Sequence, residues 1–214
     1  MKKTVLTFAI LIIVVTSSIA EIINPYEKAM KAQLALLDSA QTIQEYQAVA
    51  NSFERIAQKE SNEWLPLYYA AYSYINIGFD KSLTLDQKDT YFNKAEELLK
   101  KAETLSANNS EITALRGYAV MAKLAADPAS RGQSLSPVAM QLFGKAIQQN
   151  GKNPRALYLM AQMEYGMAQF FGSGTEKACS MAKKSVFLYE NESIEGINPY
   201  WGAEMAKEMT TKCK

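Results

Sequence analysis

The sequence predicts an all-α protein, an array of about nine helices stacked as antiparallel hairpins, and three observations predict it. Helix-start signals recur along the chain, as Asn24-Pro25, Asn153-Pro154 and Asn198-Pro199, where Asn can cap free N–H groups and Pro gives up an N–H that had no partner. Small and large residues alternate in triplets at one fixed phase, the signature of helices that must approach closely. The composition is rich in Ala, Leu, Met and Tyr, with only 6 Pro and 10 Gly in 214 residues, as a helical chain requires.

The phase is clearest at Ala139, Phe143 and Ala146, whose last member lies 15 residues before the small residue Ala161. Ala95, Leu99 and Ala102 precede Gly117 by the same 15 residues, and Val49, Phe53 and Ile56 precede Ala71 likewise. This pattern resembles the tetratricopeptide (TPR) repeat, in which a small-large-small triplet on one helix packs against a small residue of the next hairpin. Val49 and Ile56 are bulkier than that ideal, and the triplet Ala178, Ala182 and Ser185 lacks the large middle residue.

Taken in order, the first helix should run from Asn24-Pro25 to about Leu37 and the second from Ile43 to Gln58. The third spans Asn62 to the residue before Gly78 and holds the aromatic run Tyr68, Tyr69, Tyr72 and Tyr74. Thr84 and Gln87 form a capping box for the fourth, Leu85 to Ser106, and Asn108-Asn-Ser-Glu111 opens the fifth. Asp127-Pro128 should end it, because the residue before proline is pushed out of helical geometry, and the sixth should start at Ser136-Pro137. The seventh covers Pro154 to Gln169, Phe170-Phe-Gly-Ser-Gly174 breaks the chain, and the eighth covers Glu176 to Tyr189. A ninth, capped by Asn198-Pro199 with Trp201, Met205, Met209 and Cys213 on one face, should close the open end of the stack. Insertions relative to the ideal repeat fall at one kind of turn, so residues 79–84, 127–136 and 170–175 should line one edge.

Lys2 and Lys3, the apolar run from Val5 to Val15 and the small-residue end Ser18-Ile19-Ala20 make residues 1–20 a secretory signal peptide, leaving 21–214 as one helical domain exported to the periplasm or the exterior. Losing two lysines leaves 21 basic against 22 acidic residues, a charge of −1, which gives no electrostatic case for nucleic acid or for an anionic membrane, and no stable membrane insertion is expected after cleavage. The chain contains no histidine, which removes Ser-His and Cys-His nucleophile systems and the common zinc sites, so neither enzyme activity, metal nor cofactor is expected. Cys179 opens one helix and Cys213 closes the next, so antiparallel packing favours a disulfide between them, the alternative being two packed thiols.

Phe53-Glu-Arg-Ile-Ala57, Asn62-Glu-Trp-Leu-Pro66, Asn153-Pro-Arg-Ala-Leu157 and the ending from Trp201-Gly-Ala-Glu to Cys213 resemble the small exported TPR-like proteins of Gram-negative bacteria. The resemblance implies a superhelical scaffold that binds a protein or peptide partner, and it places Tyr68, Tyr72, Tyr118, Tyr158 and Tyr165 on the concave row, with Arg155 and Gln162 beside them. Arg155 would grip a partner's carboxylate, and Arg131 would bond the last carbonyls of the fifth helix. Phe170 and Phe171 form an exposed edge that a partner or a second copy could meet. A glycan-binding or glycan-acting module using the aromatic row and Glu164, and a structural subunit of an oligomer, are the other two readings.

Overall fold

The computed structural model describes residues 24–213, so the signal-peptide reading of residues 1–20 lies outside it. The described residues form nine helices: α1 Pro25–Ser39, α2 Ile43–Lys59, α3 Leu65–Gly78, α4 Leu85–Leu105, α5 Ser110–Ala126, α6 Pro128–Gln149, α7 Pro154–Phe171, α8 Glu176–Glu190 and α9 Ala203–Thr211. Local chemistry sets many of the starts. Asn24, Asn109 and Asn153 accept N–H bonds of α1, α5 and α7, and Thr42 and Thr84 make full capping boxes with Glu45 and Gln87.

Each helix packs on its sequence neighbours, and α5 also touches α3 and α7 directly. Direct contact among odd helices, with the even ones set further apart, bends the array so that α3, α5 and α7 line its inner side. The triplets lie at these helix contacts, with Ala95, Leu99, Ala102, Ala139, Phe143 and Ala146 fully buried. Gly117 shows why a small residue is required: a Cβ there would stand 2.5 Å from the Phe143 ring.

Three boundaries differ from the sequence expectation, the least of them α3, which begins at Leu65 and not at Asn62. Helix α6 begins at Pro128, not at Ser136, because Asp127 accepts the Ser130 N–H and Pro128 occupies the tolerant first position, so residues 128–136 are helix rather than loop. Pro137 is carried inside α6. Arg131 of that first stretch holds the end of α5 through the Lys123 carbonyl at 3.1 Å, and pairs with both oxygens of Asp89 on α4. At the other end, Asn198-Pro199 does not start α9, which begins at Ala203 behind Gly202. Gly202 holds φ +102, and a Cβ would strike the Tyr189 hydroxyl at 2.3 Å, so the chain turns sharply there. Helix α9 packs on α8 as the last layer, and Cys179 and Cys213 are joined by a disulfide. No helix of the described residues is long and apolar enough to cross a membrane.

Candidate functional site

The turn before α9 sends residues 192–202 back across the inner side of the array. Trp201 stacks on Tyr72 of α3, with ring centroids 4.8 Å apart, and on Tyr118 of α5 at 5.8 Å. Its indole N–H donates to the Tyr68 hydroxyl at 2.9 Å. Tyr69 donates to the Ile197 carbonyl, and Tyr200 donates to the carboxylate of Asp38 at the end of α1. Aromatic pairs of this kind contribute about 0.5–1.5 kcal/mol each beyond their buried area.

Of the tyrosine row predicted from sequence, Tyr68, Tyr72 and Tyr118 meet at Trp201 and so already have partners in the same chain, whereas Tyr158 and Tyr165 do not join that contact. Tyr68, Tyr118 and Tyr158 are 0%, 5% and 4% exposed, Tyr72 and Tyr165 are half-buried, and Gln162 faces solvent. Desolvation by burial pushes Tyr158 up to about 12 and raises Tyr68, Tyr72 and Tyr118 as well, so these phenols stay protonated.

Arg155 needs correction as a grip for a partner. It is 3% exposed and held by the chain's own carboxylates: its Nε and Nη2 donate to Glu111 at 2.7 and 2.9 Å, and its Nη1 and Nη2 donate to Glu192. The guanidinium also lies over the Tyr189 ring. Burial raises the Glu111 carboxyl, and Arg155 opposes that only in part because it is shared with Glu192. Desolvation works against the charge of Arg155, but the bonds to Glu192 and Glu111 outweigh it and hold the guanidinium above its usual value. The triad ties α5, α7 and the returning segment into one unit.

Glu164 of α7 is paired with Lys177 of α8 at 2.5 Å. Phe170 and Phe171 are the last residues of α7, 82% and 72% exposed, ahead of the left-handed cap Gly172. Sequence reasoning missed Asp38, Glu111, Glu192 and Tyr200, and it placed Trp201 on a helix. The signal for the last two was Pro199-Tyr-Trp-Gly202, an aromatic pair between two breakers.

Two cavities flank this arrangement. A small one of about 190 Å³ lies inside, where Asp38, Tyr46, Tyr69 and Tyr72 face Tyr200 and Trp201. A larger one of about 680 Å³ lies outside, in the gap between α4 and α6 with α5 beneath. Val120, Val138 and Leu142 give it apolar surface, and Arg116 and Lys145 stand along it. Both cations lean on a single carboxylate, Glu103, at 2.7 and 3.7 Å, and the groove's other carboxylate, Glu96, is paired with Lys100 at 3.2 Å, so the two cations keep an excess positive charge. Among the described residues no cluster of acidic, Cys or His side chains could hold a metal ion.

Among solved structures the chain is similar to the HusA haemophore from Porphyromonas gingivalis, with a TM-score of 0.79 and 36% identity over 88% of this chain and 92% of that one. It is also similar to the MamA protein, with a TM-score of 0.44 and 16% identity over 86% of this chain and 87% of that one, a likeness too distant to bear on function. No protein-family model and no curated protein sequence matches it.

Proposed function

We propose that this chain, which belongs to the family of the HusA haemophore of Porphyromonas gingivalis, is an exported, non-enzymatic carrier that binds a tetrapyrrole in the outer groove between α4 and α6. The likeness to HusA over nearly the whole of both chains carries this reading. The groove supports it in size, since its 680 Å³ falls within the roughly 300–1,000 Å³ of small-molecule sites. It supports it in chemistry too, because a flat ring can lie on Val120, Val138 and Leu142 while its carboxylate arms meet Arg116 and Lys145.

Residue types narrow how such a ring would be held. With no histidine in the chain and both cysteines in a disulfide, imidazole and thiolate ligation of haem iron are removed, and the groove lining offers neither Tyr nor Met. Apolar contact and charge then hold the ring, and the metal travels as cargo. Peptide capture in the inner hollow, the reading the tyrosine row suggests, would first require residues 192–202 to leave it.

Absorbance titration of the exported chain with haem, and separately with a metal-free dicarboxylate porphyrin, tests the proposal. Both rings are expected to bind with similar affinity, and Val138→Asp, at a position 42% exposed, should weaken both by about tenfold without loss of helix. Absence of any spectral change with either ring would overturn it.

A further inference from the structure

The small inner cavity has a chemistry of its own. Five aromatic rings, those of Tyr46, Tyr69, Tyr72, Tyr200 and Trp201, surround about 190 Å³ and share it with the Asp38 carboxylate. We propose that this cavity is an aromatic cage for a compact organic cation, an alkylated ammonium group. The inference is independent of the tetrapyrrole reading, since the cavity is less than a third of the outer groove in volume and lies on the other side of the array.

Three features select a cation over a neutral ligand. Ring faces carry the negative side of the aromatic quadrupole and favour positive charge; Trp201, Tyr72 and Tyr69 are stacked on other rings, whereas among the described residues Tyr46 and Tyr200 are stacked on none. Asp38 adds a full negative charge, and among the described residues no Lys or Arg pairs with it. Among the described residues its only side-chain donor is the Tyr200 hydroxyl, a single proton shared between the two oxygens at 2.9 and 2.8 Å, which leaves lone pairs directed elsewhere. Desolvation of a methylated ammonium is also mild compared with that of a bare one, because its methyl groups pack against the rings.

The cage is built from both ends of the chain. Asp38 and Tyr46 come from α1 and α2, Tyr69 and Tyr72 from α3, and Tyr200 and Trp201 from the returning segment held by the Tyr69 to Ile197 bond and by the stack of Trp201 on Tyr72. A cation seated there would contact the returning segment and the first hairpin together.

Calorimetric titration of the exported chain with choline, and with its neutral tert-butyl analogue, tests the assignment. Choline is expected to bind, the neutral analogue at least about tenfold more weakly, and Asp38→Asn is expected to lose about tenfold for choline alone. Asp38 is exposed, so that variant keeps the fold, and unchanged far-ultraviolet circular dichroism checks it. Tyr46→Leu should also weaken choline, whereas Val138→Asp in the outer groove should not affect it. Equal binding of the neutral analogue or of a neutral hexose, undiminished binding by Asp38→Asn, or no heat with choline would each overturn the assignment.

Discussion

On the inner side of the array Tyr72 and Tyr118 lie against Trp201, and Arg155 is saturated by Glu111 and Glu192; on the outer side Val120, Val138 and Leu142 line an open groove beside two cations that share one carboxylate. Of the helices named, α5 alone serves both faces. What separates them is the returning segment, which spends the rings and charges of the inner row on closing the fold. Enrichment in tyrosine and arginine therefore marks where the chain binds itself, and the unspent apolar area and charge lie in the gap that curvature opens between α4 and α6. The small cavity beside Asp38 is walled in part by the returning segment itself.

The contrast can be broken most forcefully at Arg155. Arg155→Ala leaves Glu111 and Glu192 facing each other in a buried site and should cost about 3–5 kcal/mol in urea unfolding. A cost below about 1 kcal/mol would mean that the triad does not hold the returning segment. Next comes the disulfide. Cys179 and Cys213 close a loop of 34 residues, so Cys213→Ser should lower stability by about 3 kcal/mol and raise proteolysis of the last helix first.

Alkaline titration sharpens the same comparison. Burial raises the tyrosines of the inner row, so the folded state keeps protons that the unfolded chain begins to lose near the ordinary tyrosine value of 10.0. Their contribution to stability is fully present below about pH 10 and is lost as pH rises through the folded values, about 12 for Tyr158. Phenolate absorbance should therefore rise steeply with unfolding rather than gradually near pH 10. The smallest effect belongs to the ion pair between α7 and α8: Glu164→Gln breaks a pair whose lysine is 72% exposed and should change stability by less than about 1 kcal/mol.

The fold was largely legible because its devices are local. Asn24, Asn153, Thr84 with Gln87, and the triplets around Phe143 each specify a start or a close contact within a few residues. Pro128 and Pro137 misled because proline both ends one helix and opens the next, and a helix can carry one inside when packing on its neighbours supports it. The site was less legible because it depends on pairs far apart in sequence. Tyr200 with Asp38, Trp201 with Tyr68, and Arg155 with Glu111 are separated by 162, 133 and 44 residues, and no periodicity encodes those meetings. The outer groove left no motif at all, being a space between helices rather than a run of residues.

In the proposed carrier a ring-shaped ligand enters the gap between α4 and α6 and leaves the inner side undisturbed. Methyl and indole NMR spectra recorded while a metal-free dicarboxylate porphyrin is added test it directly. Ring-current shifts are expected at Val120, Val138 and Leu142 with the Trp201 indole N–H unmoved; large shifts at Trp201 with silent groove methyls would place the ligand on the inner side instead.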